Sequence, residues 1–194
     1  MSSIAYYDEN GAAFFDMSVD AGMPNEWAWF LGYVPEGGAV LDAGCGSGRD
    51  ALVFLRAGRL VTAFDGSAEM VRRAACHTGL PVRQMTFEDV DWDTAFDGVW
   101  ASASLLHVPR AELPAVMQRL VRALTPGGVI YASFKHGAED RRANGRDFTD
   151  MTPRLLKTLF ANAGLTDVEL RVVNDGRAGR EHERWTCAVG RRSG

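Results

Sequence analysis

Two aspartates and three glycines form the pattern in this chain that could most directly do chemistry. The run Val40-Leu41-Asp42-Ala43-Gly44-Cys45-Gly46-Ser47-Gly48 carries glycine at alternate positions after a short apolar stretch, and Asp65 follows 23 residues after Asp42. Glycines so spaced let the backbone turn sharply at a strand end and let a ligand approach without meeting a Cβ atom. A helix starting behind such a loop offers free N–H groups and the positive end of its dipole, which favour an anion or a carboxylate. A carboxylate closing the next strand can accept hydrogen bonds from both hydroxyls of a ribose. Together these features imply a nucleoside ligand. A dinucleotide fingerprint wants a small residue three places after Gly46, where Arg49 stands, and a P-loop wants a Gly-Lys-Ser/Thr that is missing.

The loop resembles the first motif of the class I S-adenosylmethionine (SAM)-dependent methyltransferases, a strand ending in Asp-x-Gly-x-Gly-x-Gly. Phe64-Asp65 with Ser67-Ala68-Glu69-Met70 resembles the second motif, and Met85-Thr86-Phe87-Glu88-Asp89 the third. Phe96 through Val108 resembles the fourth, and Leu124-Thr125-Pro126-Gly127-Gly128 the turn before the fifth strand. The resemblance covers roughly residues 37 to 190 and is nearest to a compact small-molecule group, with tellurite-resistance-type and ubiquinone- or biotin-pathway-like members. Thr86 departs from it, because many relatives carry aspartate there.

The resemblance implies SAM as cofactor, S-adenosylhomocysteine as product and no metal. Asp42 opens the motif, and Gly44, Cys45 and Gly46 would lie along the methionine part of SAM. Arg49 would pair with its carboxylate and Asp65 would hold the ribose. Gly66, Met70, Phe87, Glu88 and Asp89 would surround the adenine. Ser102 and Ala103 would present backbone to the amino group. A metal-dependent enzyme of this fold would want carboxylates where Ala101, Ser102 and Phe134 stand.

Methyl transfer from SAM is an in-line displacement in which the cofactor carries the difficult chemistry. A base is needed only if the acceptor keeps its proton. His107, just past the fourth strand, is the candidate base, with an ordinary pKa near neutrality. Tyr7, in an N-terminal Tyr-Tyr-Asp, could bond cofactor or substrate when a lid closes. Phe14, Trp27 and Trp29 are pocket candidates or core residues. Lys135 and His136 follow the fifth strand. The polar stretch Glu139–Arg146 reads as a loop, either solvated or holding an acidic substrate group.

The elements that must position these residues alternate. Strands are expected over residues 39–43, 60–64, 81–85, 96–102 and 129–134, and closing strands over 168–173 and 184–189, whose link without an obvious helix allows an antiparallel final pair. Helices are expected over 49–57, from Ser67, over 110–124 and from Thr152-Pro153. The fold class is α/β, a doubly wound, mainly parallel seven-stranded sheet. Residues 1–36 read as a helical lid and 37–194 as the SAM-binding domain. The net charge of −4 argues against a nucleic-acid partner. No Asn/Asp-Pro-Pro-Tyr/Phe motif of nucleobase-amine enzymes follows the fourth strand, and the three cysteines form no CxxC pair. No signal-peptide pattern or apolar run of membrane-spanning length is seen, so a cytoplasmic enzyme is expected, monomeric or homodimeric, acting on a small molecule. A non-catalytic SAM-binding module, or an enzyme acting on nucleic acid or protein, stands as the alternative.

Overall fold

The computed structural model describes residues 2–177, 179, 180 and 182–194. The strands are β1 (Ala39–Ala43), β2 (Leu60–Asp65), β3 (Arg83–Gln84), β4 (Phe96–Ala101), β5 (Leu124–Lys135), β6 (Asp140–Ala143), β7 (Arg146–Thr149), β8 (Leu165–Asn174) and β9 (Arg184–Arg192). The helices are α1 (Ser3–Ser18), α2 (Pro24–Leu31), α3 (Arg49–Arg56), α4 (Ala68–Thr78), α5 (Leu113–Ala123) and α6 (Pro153–Asn162). Seven strands form one sheet in the order β3-β2-β1-β4-β5-β9-β8. β1 to β5 run parallel, and β9 is antiparallel to both β5 and β8. This is the doubly wound α/β sheet expected from the alternation, with its antiparallel final pair.

Period-two alternation sets the two faces. Leu41, Val99 and Ile130 turn into one core with Met117 and Leu120 of α5 and Phe160 of α6. Val40, Trp100 and Tyr131 turn into the other, with Phe30 of α2 and Phe54 of α3. Both faces are covered, as a parallel sheet requires. Strand order reverses at β1, which lies between β2 and β4. The ends of these strands open onto the crevice where such sheets bind ligands.

The N-terminal segment divides. α2 belongs to the core: Phe30 is fully buried, and a Cβ on Gly98 would come within 2.6 Å of its ring. α1 lies across α4, where a Cβ on Gly11 would come 2.6 Å from Glu69 Cγ. The Ser67 hydroxyl donates to Asp8 at 2.6 Å, and Asp147 N–H donates to the Ser3 hydroxyl at 3.1 Å. α1 thus spans from α4 to β7, over the crevice. Ser2 caps its start, its hydroxyl accepting from Ala5 N–H at 3.3 Å.

Three expectations are corrected. Glu139–Arg146 is no loop: β6 and β7 pair as an antiparallel hairpin. Its turn is Asn144-Gly145, both with positive φ (50° and 77°), the conformation that the Asn-Gly dipeptide favours between two strands. The third strand shrinks to Arg83–Gln84. β5 starts at Leu124, and the Thr125–Gly128 turn is absorbed within it as a bulge opposite Phe96–Gly98. The caps at Ser67 and Thr152 form as read. No helix among the described residues is long and apolar enough to cross a membrane.

Buried Asp50 ties three elements together. It accepts from Trp27 Nε1 of α2 and Trp100 Nε1 of β4, both at 2.8 Å, and from Arg49 Nε and Nη2 at 2.7 and 2.9 Å. Asp50→Ala would leave two indole N–H groups and a part-buried guanidinium without their acceptor. We expect a loss of about 3–5 kcal/mol in urea denaturation, the usual cost of breaking a buried pair. A loss below about 1 kcal/mol, the scale of an exposed pair, would contradict this role.

Candidate functional site

The glycine loop leaves β1 with Gly44, Gly46 and Gly48 at φ of 76°, 55° and 76°. L-residues with side chains rarely adopt such angles. At Gly44 a Cβ would also come 2.5 Å from Ser104 Cβ, and at Gly48 2.7 Å from Thr78 Cγ2. At Gly46 it would face the Phe14 ring of α1 at 3.6 Å. Gly44 N–H and Cys45 N–H both donate to the Phe64 carbonyl, at 3.0 and 2.9 Å. Gly46 N–H donates to Asp65 Oδ2 and Ser67 N–H to Asp65 Oδ1, each at 2.9 Å. Burial raises the Asp65 carboxyl above the usual carboxylate range, while these N–H donors pull it down. A carboxylate has about four acceptor positions, so Asp65 keeps capacity for further hydroxyl donors.

Asp65 lines a cavity of about 1020 Å³ that runs beneath α1. Gly44, Cys45, Gly46, Arg49, Gly66, Met70, Phe87, Glu88, Ser102 and Ala103 line it too. Asp42 and Asp89 lie outside this lining. Asp42 is buried behind the loop, one carboxylate oxygen has no partner, and burial beside Asp50 holds its carboxyl well above the usual range. Asp89 accepts from Thr86 N–H and hydroxyl at 2.8 and 2.9 Å, capping the turn that presents Phe87. Ala103 sits at φ 52°, with its N–H donating to the Ser133 hydroxyl at 2.9 Å. Besides Asp50, the Arg49 guanidinium bonds the Ala21 carbonyl and Met23 sulfur, leaving one Nη1 hydrogen uncommitted.

On the same cavity wall the fold joins residues 100 apart in sequence. Tyr7 Oη and His107 Nε2 lie 2.9 Å apart, and His107 Nδ1 lies 2.7 Å from the Asp147 carbonyl. A carbonyl only accepts, so Nδ1 carries the proton, Nε2 accepts, and the Tyr7 hydroxyl donates to it. Arg146 Nη1 donates to the Tyr7 oxygen at 3.2 Å. Burial pushes His107 down to about 4 and raises Tyr7, so both are neutral near pH 7. The Phe148 ring, centred 5.1 Å from the imidazole, closes the wall. Arg146 and Phe148 come from the hairpin, and the sequence does not single them out. The Asn-Gly turn between polar residues is the signal that reveals the hairpin.

Of the other pocket candidates, Phe14 lines the cavity and meets Tyr7 edge to face at 4.8 Å. Trp27 is held by Asp50, and Trp29 is buried against Tyr131. Lys135 is buried between Asp175 and Glu183, and His136 bonds the Thr186 hydroxyl at 2.9 Å. No group of three or more metal-ligating side chains occurs among the described residues.

A family described as a methyltransferase domain matches residues 40–128. The chain is 30% identical over 156 residues to cypemycin N-terminal methyltransferase of a Streptomyces species, covering 75% of this chain and 62% of that protein. It is 30% identical over 180 residues to the S-adenosyl-L-methionine-dependent Diels-Alderase iliD of Neonectria sp. (strain DH2), covering 80% and 69%. It thus spans about three-fifths of the length of the first curated relatives it matches. A crystal structure of Burkholderia thailandensis 1,6-didemethyltoxoflavin-N1-methyltransferase holds 1,6-didemethyltoxoflavin and S-adenosylhomocysteine. It is similar with a TM-score of 0.78 at 25% identity, over 98% of this chain and 85% of that one.

The neutral imidazole carries a pH dependence. His107 drops from 6.5 to about 4 on folding, so between these values the unfolded chain binds a proton that the folded chain refuses. Its contribution is complete above pH 6.5 and is lost as pH falls towards 4. In urea midpoints measured over that window, the wild type should lose more stability than His107→Asn. Parallel curves would remove His107 from this role.

Proposed function

The chain belongs to the class I SAM-dependent methyltransferase family, and from that premise we propose that it transfers the methyl group of SAM to a small-molecule nucleophile held between α1 and the β6–β7 hairpin. The observation that carries this reading is the continuity of one cavity from Asp65 to the Tyr7–His107 pair. The residues present fit the cofactor: Asp65 retains acceptor positions on the cavity wall, and Gly44 and Gly46 beside it hold positive φ angles that residues with side chains rarely adopt.

In this proposal the Asp65 carboxylate accepts the two ribose hydroxyls, and Phe87, Gly66 and Met70 enclose the adenine. Backbone at Ser102 and Ala103 meets the amino group. The remaining Arg49 N–H reaches the carboxylate, while Asp42 supports the loop from behind. SAM, when bound, supplies an electrophilic methyl on a sulfonium, so the protein's task is alignment at about 3 to 3.5 Å. α1 and Phe148 exclude water from the acceptor. An acceptor that keeps its proton can pass it to the Tyr7 oxygen as the Tyr7 proton moves to His107 Nε2. This balances the transfer, with the imidazolium releasing the proton to solvent after turnover. The acceptor class is supported by the small 1,6-didemethyltoxoflavin ligand in the Burkholderia structure.

The similarity to a SAM-dependent Diels-Alderase supports a second reading, in which bound SAM shapes the cavity and the chain closes a ring without consuming the methyl group. Formation of S-adenosylhomocysteine in step with product separates the two.

Calorimetry tests the cofactor assignment. SAM and S-adenosylhomocysteine should bind and NADH should not. Asp65→Ala should weaken SAM binding at least tenfold, or about 1.4 kcal/mol. Tight NADH binding without a SAM response, or unchanged SAM affinity in a folded Asp65→Ala protein, would overturn it.

A further inference from the structure

Four arginines surround the β6–β7 hairpin, and three have carboxylate partners. Arg110 pairs with Asp140 at 2.6 Å, Arg141 with Asp150 at 2.7 Å and Arg142 with Asp147 at 3.6 Å. Arg146 makes no ion pair among the described residues, although it is half-buried on the cavity wall and its Nε is fully buried without a partner. Its guanidinium lies over the rings of Tyr6, Phe148 and Tyr7, at 4.8, 5.2 and 5.7 Å from their centroids. Ring faces attract a cation but do not neutralise it. The hydrogen bond from Nη1 to the Tyr7 oxygen is to a neutral acceptor. A cation held this way, with its planar fork partly unused, is suited to bidentate binding of an anionic oxygen group.

We propose that Arg146 is the acceptor-recognition residue and that the methyl acceptor carries an ionised oxygen (carboxylate, enolate or phenolate) bound by Arg146 beside the Tyr7 hydroxyl. This deepens the methyltransferase reading and rests on it for the word acceptor. The binding step itself depends only on residues of this chain. His107 fits the assignment: its neutral ring adds no second positive charge, and it fixes the Tyr7 hydroxyl in place. Neutral analogues of the same shape would leave the half-buried Arg146 without an anionic partner, which is how the site would discriminate against them.

The probe is 4-nitrophenol, whose phenolate absorbs in the visible. Its ionisation is followed against pH with the protein present, with and without S-adenosylhomocysteine. Bound probe should ionise about one pH unit below free probe, a tenfold preference for the anion. Benzoate should displace it and benzyl alcohol should not. Arg146→Gln should abolish the preference, and Arg146→Lys, which keeps the charge, should retain part of it. Neither substitution should change S-adenosylhomocysteine affinity more than about twofold. If Arg146→Gln fails to fold, the Lys variant and the wild-type competition decide. No probe binding, ionisation at or above the free value, an undiminished preference in Arg146→Gln, or equal competition by benzyl alcohol overturns the proposal. Failure of S-adenosylhomocysteine to bind would sink the methyltransferase reading, while the titration in its absence still decides Arg146.

Discussion

The Asp65 carboxylate holds the crevice together, with one oxygen on Gly46 N–H and the other on Ser67 N–H. It thereby fixes the glycine loop behind β1 against the start of α4. Ser67 passes the constraint to α1 through its hydroxyl bond to Asp8. Burying a carboxylate is costly unless it is hydrogen-bonded, and backbone N–H donors are the partners that offset that cost. The same arrangement stations a negative group, with acceptor capacity to spare, on the cavity wall. Loop shape and ligand chemistry are therefore set by one residue, which is why the glycines cannot be read apart from it.

Charge is distributed differently at two places on the cavity wall. Beside the loop, Arg49 and Asp50 neutralise each other, and two tryptophan N–H groups bond the same carboxylate. This network ties α2 and β4 to α3 and leaves Arg49 one N–H. At the hairpin, Arg146 lies over aromatic faces, with a neutral Tyr7 and a neutral His107 beside it. The first cation has its counter-ion within the fold, and the second keeps a positive charge that a ligand can complete.

The loop, Asp65, the Ser67 cap and the amphipathic α5 were legible in the sequence because each is local: a spacing, a cap residue or a period. His107 and Tyr7 could be named one by one, but their contact joins residues 100 apart in the chain and no local pattern encodes it. Arg49 illustrates the limit. Its place after the loop suggests carboxylate recognition, yet most of its donors go to the neighbouring Asp50 and to α2-side residues that only tertiary packing brings near. The hairpin is hidden from local pattern because β6 is largely exposed and β7 buries two consecutive residues, Phe148 and Thr149, so no period-two alternation marks it. The lid expected over residues 1–36 does not extend to α2, because an aromatic-rich helix looks alike over a ligand or against a sheet. What decides between them is the side chain that Gly98 lacks.

Family membership assigns the fold and makes SAM the cofactor to test. The finer assignment rests on the cavity, whose wall holds both the ribose carboxylate and the Tyr7–His107 pair. A crystal structure of the protein with S-adenosylhomocysteine tests that most directly. Both ribose hydroxyls are expected within hydrogen-bond distance of Asp65, the adenine against Phe87, and the sulfur turned towards Tyr7 and His107. A ligand seated with its ribose away from Asp65, or with its sulfur pointing away from that pair, would contradict it.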